Sequence, residues 1–145
     1  PIITKVMNET NVDEMIIMVQ KEVGDRFKAK VGTKDYNSLS VFLQYYFYIE
    51  KVCLVSKNCF IPKPKVDSIV VKFTRRKDLI KLNNSDLFFK LVKDSFKQKR
   101  KNLRNNLRDY DLDKIDNLLK IIDKDLTYRA EQLSIEDFVY IANNL

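Results

Sequence analysis

Phe60-Ile61-Pro62-Lys63-Pro64-Lys65-Val66-Asp67-Ser68 places an aromatic ring just ahead of two alternating prolines and the apolar run Ile69-Val70-Val71. Each proline holds φ near about −65° and disfavours helix in the residue before it, so Phe60 stands at the start of a stiff, extended segment. A ring presented in this way loses little entropy on meeting a flat partner. Lys57, Lys63 and Lys65 flank it. An aromatic face among cations is what an unstacked nucleobase and its phosphates require. The alternative is a phenylalanine tucked into its own core beside a braced loop, and the local sequence leaves both open.

A second group of residues points the same way. From Lys90 to Arg108 the chain carries Lys90, Lys93, Lys97, Lys99, Arg100, Lys101, Arg104 and Arg108 against one acid, Asp94. This stretch holds the whole formal charge of +7, and the rest of the chain is neutral. Read as one helix, Lys90, Lys93, Lys97, Lys101, Arg104 and Arg108 fall within about 80° of one another. Phe89, Val92, Phe96, Leu103 and Leu107 form a neighbouring apolar stripe. One face would pack inward while the next presents six cations to a run of phosphates. A solvated charged face is the plainer reading, yet such faces usually mix signs.

Composition excludes several chemistries. With 145 residues, 45% of them hydrophobic, the chain can bury a core in one domain or two small ones. No apolar run approaches the roughly 20 residues of a membrane span, and the N-terminus lacks a signal-peptide pattern, so a soluble, intracellular, cytoplasmic protein is expected. Cys53 and Cys59 are the only cysteines and histidine is absent. A structural zinc site or a Cys-His nucleophile cannot be assembled, no metal is expected, and both thiols read as reduced, Cys53 in a strand core. With only Gly24 and Gly32 there is no glycine-rich phosphate loop, so no cofactor-binding residue is expected in this chain.

The elements that must position these residues follow from periodicity. Pro1 to Met7 suits a short helix opened by a first-turn proline, and Asn8 to Asn11 a turn. Met15-Ile16-Ile17-Met18-Val19 reads as a strand buried on both faces of a parallel sheet, with Gln20 to Val23 at its carboxyl end, where open α/β sheets place ligands. Ordinary solvation of a helix start is the competing reading of Gln20 and Glu22. Leu39, Phe42, Leu43, Tyr46 and Phe47 predict a helix, mostly buried because Val41 and Tyr45 lie opposite. Strands at Tyr48 to Val55 and Val66 to Phe73 form an antiparallel pair with Phe60 at its tip. Arg75 to Asp78 and Asn83-Asn84 mark a domain boundary between Arg76 and Ser85. Beyond it all is helical: Asn84 or Ser85 caps the basic helix, Asp111 caps the next, and Ser134 with Asp137 makes a capping box.

Five segments now carry a resemblance: Gln20-Lys21-Glu22-Val23-Gly24-Asp25-Arg26; Gly32-Thr33-Lys34 with Leu39-Ser40-Val41; Phe60 to Ser68; Gln98 to Leu107; and Arg129-Ala130-Glu131-Gln132-Leu133-Ser134. In this order they resemble the ribosomal RNA adenine dimethyltransferases, specifically the bacterial small-subunit (16S) dimethyladenosine transferase group, over essentially the whole chain. The resemblance implies an α/β plus all-α fold: residues 1–76 as the C-terminal part of a Rossmann-like methyltransferase domain and residues 77–145 as a helical rRNA-binding domain. It implies transfer of methyl groups from S-adenosylmethionine to N6 of two adjacent adenines during ribosome biogenesis.

By the same resemblance, the glycine-rich donor loop, the acid that holds the donor ribose and the Asn-Leu-Pro-Tyr type catalytic motif precede the matched part. This chain alone is then expected to be inactive and to hold no cofactor, with S-adenosylmethionine bound only by the longer parent. Its Met15 to Val19 strand would lack a neighbour, which invites self-association. Phe60 would be the catalytic aromatic that stacks on the target adenine. Lys63, Lys65, Lys90, Lys93, Lys97, Lys101, Arg104 and Arg108 would bind rRNA, and the partners would be small-subunit rRNA and the immature small ribosomal subunit. Two further readings stay open at this point, a non-catalytic RNA-binding or ribosome-assembly module and a resistance-type methyltransferase of large-subunit rRNA.

Overall fold

The computed structural model describes residues 2–9 and 11–145. Helix α1 spans Ile2–Asn8; the first-turn Pro1 and the Thr10 part of the expected turn lie outside the described residues. Strand β1 (Glu14–Gln20) runs into α2 (Lys21–Phe27), and α3 (Ser38–Tyr46) into β2 (Phe47–Val55). A 3-10 turn (Lys57–Cys59) and the proline segment lead to β3 (Ser68–Arg75). The helices α4 (Ser85–Ser95), α5 (Leu103–Asn106), α6 (Leu112–Ile121) and α7 (Ile135–Asn144) follow. No helix among the described residues is long and apolar enough to cross a membrane.

The sheet order is β1-β3-β2 and both pairings are antiparallel. The β2–β3 pair is the expected one, with boundaries shifted by one or two residues. The reading of β1 is corrected: its partner in this chain is antiparallel, and only one of its faces is covered. Met15, Ile17 and Val19 lie opposite the buried Phe73, Val71 and Ile69. On the other face Ile16 is 64% exposed and Met18 51%. The physical reason is that Met7 of α1, Phe27 of α2 and Leu43 of α3 pack into one cluster with Ile49, Ile69, Val71 and Phe73, all on the same side of the sheet. An unbroken apolar run supplies two apolar faces, and these helices cover one of them.

Cys53 is also corrected, from core to exposed. A register shift between Lys51 and Cys53 sets Cys53 opposite Val70 on the outward face, because one extra residue in a strand reverses the facing of those beyond it.

The predicted single helix from Lys90 to Arg108 is interrupted. Helix α4 ends at Ser95, whose hydroxyl donates back to the Leu91 carbonyl at 2.7 Å. The Asn106 side chain then takes the place of the next turn: its Nδ2 donates to the carbonyls of Ser95 (2.7 Å) and Gln98 (3.1 Å), and its Oδ1 accepts from the Gln98 amide (3.2 Å). Asn102 caps α5 by accepting from the Asn105 amide at 3.1 Å. Asparagines offer the backbone these local alternatives to a continuous helix. Leu103 and Leu107 are nevertheless buried beside Val92. The other caps are those expected: Asn84 accepts from Leu87, Asp111 from Lys114, and Ser134 and Asp137 exchange bonds.

Two apolar cores result. One is the sheet cluster, and the other joins Phe88, Leu91, Val92, Ile115, Leu119, Phe138 and their neighbours with Ala29, Tyr36, Val41 and Tyr45.

Gly24 tests the sheet side. A β-carbon there would meet Cγ2 of Ile69 well inside van der Waals contact, and would also touch Val19 and Val71 at 3.4 Å. Overpacking costs about 1–3 kcal/mol, partly offset by the roughly 1 kcal/mol helix preference of Ala over Gly. Gly24→Ala is therefore expected to lower stability by about 1 kcal/mol. A lower urea midpoint at unchanged m-value is the expected reading.

Candidate nucleic-acid interface

The β2–β3 connection begins with a capped turn: Ser56 Oγ accepts from the Asn58 amide at 3.2 Å, and the Cys59 amide donates to the Ser56 carbonyl at 3.0 Å. Asp67 closes the loop from the other end. Its Oδ1 accepts from the Lys57 amide at 2.9 Å, and its carbonyl accepts from the Lys21 amide at 2.9 Å. The second bond joins the loop to the start of α2, where Gln20 pairs with Ser68. The aromatic loop and the carboxyl end of β1, singled out separately from sequence, therefore occupy one place. Asp25 reinforces it by accepting from Lys51 at 2.6 Å and Lys21 at 3.0 Å, and the two ammonium groups hold its carboxyl below the usual carboxylate range.

Phe60 is half-buried at the exit of the capped turn, Ile61 is fully exposed, and Lys63 and Lys65 are exposed beyond it. The Ile61-Pro62 peptide is cis. The arrangement offers a partly supported ring, a bare aliphatic side chain and two cations on one pinned loop. Such a loop can stack on a base and hold its phosphates.

The six cations of the basic stretch separate into distinct environments. Lys97, Lys101 and Arg108 line one cleft of about 250 Å³ together with Gln98, Asn105, Asn106 and Asp109. The turn held by Asn106 brings them together, since Lys97 and Lys101 lie in the link after α4 and Arg108 lies beyond α5. Lys90 is drawn aside: its ammonium contacts Asp94 at 3.0 Å and the Tyr110 hydroxyl at 3.1 Å, and lies 4.6 Å from the Tyr110 ring centre. Tyr110 also donates to Asp94 at 2.7 Å, and that bond, with Lys90, holds the Asp94 carboxyl below its ordinary range. Arg104 is exposed on α5 and does not line the cleft. Lys93 is exposed on α4. Sequence periodicity grouped all six. The pairing of Lys90 with Asp94 was visible at a spacing of four, whereas the cluster Asn102, Asn105 and Asn106 was the missed signal for the break.

The ribosomal RNA adenine dimethylase family model matches residues 1–145. Ribosomal RNA small subunit methyltransferase A of Bacillus cytotoxicus is 43% identical over 153 aligned positions, covering 100% of this chain and 52% of that protein. The protein of the same name from Bacillus mycoides is 41% identical with the same coverage. The chain thus spans about half the length of the curated relatives it matches. Among solved structures, a dimethyladenosine transferase from Plasmodium falciparum matches with a TM-score of 0.77 at 24% identity, over 97% of this chain and 60% of that one. The 23S rRNA methyltransferase ErmE matches with a TM-score of 0.69 at 21% identity, over 99% and 59%. These two likenesses show the fold, part of a Rossmann-like methyltransferase sheet followed by helices.

The Asp67 clasp can be tested directly. A hydrogen bond to a charged acceptor is worth about 1.5–3 kcal/mol, and partial exposure places this one at the low end. In Asp67→Ala the amide of Lys57 is expected to exchange with solvent about tenfold faster, while amides in the middle of β3 keep their protection. Unchanged exchange at Lys57 would show that the turn holds itself.

Proposed function

Because the chain belongs to the ribosomal RNA adenine dimethylase family, we propose that it is the C-terminal portion of an S-adenosylmethionine-dependent rRNA adenine N6-dimethyltransferase. The whole enzyme acts on adjacent adenines of small-subunit rRNA during ribosome biogenesis in the cytoplasm. The observation that carries this reading is Phe60, set on a loop that Asp67 fastens to the carboxyl end of β1. Residues 1–76 are the end of the methyltransferase domain and residues 77–145 the helical rRNA-binding domain. The immature small ribosomal subunit is the partner.

Phe60 stacks on the extruded adenine and holds its exocyclic amine in place, while Lys63 and Lys65 take the neighbouring phosphates. Lys97, Lys101 and Arg108 bind RNA backbone in their cleft, with Lys93 exposed on α4 beside them in sequence. Such contacts position the substrate and carry little sequence information. Lys90 contributes less than a free cation would, because it first has to give up its contacts with Asp94 and Tyr110, and Arg104 meets backbone from α5, outside the cleft.

S-adenosylmethionine does not fit the residues present. The two glycines do not make a glycine-rich loop: Gly24 is packed inside α2 against Ile69, and the Gly32 amide is tied to the Glu131 carbonyl at 2.7 Å. The donor site belongs to the remainder of the parent enzyme, and the 145 residues by themselves are inactive. That remainder also covers the free edge of β1 and the apolar cleft of about 510 Å³ beside it, lined by Ile2, Ile3, Ile17, Met18, Val19, Val23, Phe27 and Leu39.

Two outcomes are expected. In the full-length parent, Phe60→Ala reduces methylation of rRNA by roughly tenfold or more, since a stacked base is worth about 1–3 kcal/mol; circular dichroism should report an unchanged fold. Full turnover in that variant would return Phe60 to a packing role. The isolated 145-residue chain self-associates through the β1 edge, because Ile16 and Met18 stand exposed along a strand with an unpaired side. Light scattering should show a mass that grows with concentration. A stable monomer with β1 amides protected from exchange overturns this part of the proposal.

A further inference from the structure

Residues 28–37 connect α2 to α3 on the sheet side, yet they are seated on the helical layer. Ala29 and Tyr36 are buried in the helical core, and the Tyr36 ring meets Phe96 edge-on at 5.9 Å. The Gly32 amide donates to the Glu131 carbonyl at 2.7 Å. Gly32 has φ +84°, a conformation that a residue with a β-carbon adopts at a cost. From the other layer, Lys99 donates its ammonium to the Lys34 carbonyl at 2.6 Å. Thr33 closes the turn by donating its amide (3.2 Å) and its hydroxyl (2.7 Å) to the Lys30 carbonyl.

This seating brings a second set of cations to the basic turn. Lys30 and Lys34 are exposed, and Lys34 is one hydrogen bond away from the segment that holds Lys97, Lys99 and Lys101. A small cleft between Tyr36, Phe96, Lys99 and Lys101 marks where the two segments abut. The nearby acids are Asp35, Glu131 and, beside Tyr36, Glu136 and Asp137, and none forms an ion pair with these lysines among the described residues. Lys28, in the same loop, faces elsewhere, lining a cleft with Phe47, Tyr48, Glu50 and Arg76.

We propose that Lys30 and Lys34, carried over from the sheet layer, join Lys97 and Lys101 in one phosphate-binding surface for RNA backbone that spans the two layers. The inference rests on the RNA-binding reading above and adds two residues to it that lie outside the basic stretch. Its physical content is continuity. Cations on two segments locked by the Gly32 and Lys99 hydrogen bonds keep a fixed spacing, so a strand of phosphates neutralises them together without ordering either segment on binding.

The test uses the full-length parent enzyme and a labelled hairpin from the 3′ end of small-subunit rRNA, with affinity measured by fluorescence anisotropy at several salt concentrations. Each lost phosphate contact should reduce the slope of log affinity against log salt by about 0.7–0.9. Lys30→Gln with Lys34→Gln is expected to flatten the slope by nearly twice that amount, as is Lys97→Gln with Lys101→Gln, whereas Lys28→Gln leaves it unchanged. A flatter slope for the Lys97 and Lys101 pair alone overturns this inference and leaves the RNA-binding reading standing. Equal effects per residue from Lys28, Lys30 and Lys34 also overturn it, by reducing it to net charge. No change in any variant, or no binding by the unaltered enzyme, removes both.

Discussion

Helix α3 is buried on two sides, and the arrangement of both layers depends on that. Leu43 points into the sheet cluster while Val41 and Tyr45 point into the helical cluster. A surface helix carries one apolar stripe and leaves its other face to water. This helix leaves almost none, so its polar atoms have to be satisfied by protein. Ser40 Oγ donates to the Arg26 carbonyl at 2.5 Å, and Gln44 Nε2 donates to the carbonyls of Phe27 and Ala29 at 3.0 and 2.9 Å. Tyr45 donates to the Ile80 carbonyl at 2.5 Å, and the Gln44 carbonyl accepts from Arg76 at 2.9 Å. Left unpaired, each such group would cost about 1–3 kcal/mol. These bonds hold the end of α2, the loop after it and the link to α4 against one helix.

The placement of the aromatic loop follows from this frame. With α2 held against α3, the Lys21 amide meets the Asp67 carbonyl, and the Asp67 carboxylate in turn reaches back to the Lys57 amide. A loop closed at its base by one side chain keeps its tip accessible without leaving it loose. Arg75, at the far end of β3, does the corresponding work for α1: its guanidinium donates to the carbonyls of Val6, Met7, Glu9 and Val12 and lies 4.9 Å from the Phe47 ring centre. Both devices use a polar side chain from a strand to satisfy backbone groups that secondary structure leaves open.

Electrostatic function in the helical layer is decided by partners rather than by counts. Eight cations in 19 residues look uniform along the chain. In three dimensions Asp94 and Tyr110 engage Lys90, Arg104 stands on α5 outside the cleft, and the Lys34 carbonyl engages Lys99. Lys97, Lys101 and Arg108, the last 4.0 Å from Asp109, gather around one cleft. The useful surface is a subset chosen by the turn at Ser95 and by neighbours up to 65 residues away in sequence.

The proline-braced Phe60, the antiparallel pair around it, the caps at Asn84, Asp111 and Ser134 and the buried character of α3 were legible in sequence because each depends on residues within a few positions of one another. Periodicity also identified Val92, Leu103 and Leu107 as inward-facing although the helix between them breaks, since a compact turn can preserve facing. Tertiary structure alone decided which face of β1 is covered, because an apolar run does not say how many layers pack on it. It decided the exposure of Cys53, which depends on a register shift against β3. It also decided which cations gather around one cleft and which loop joins them, because hydrogen bonds such as Gly32 to Glu131 link segments whose local sequences say nothing about each other.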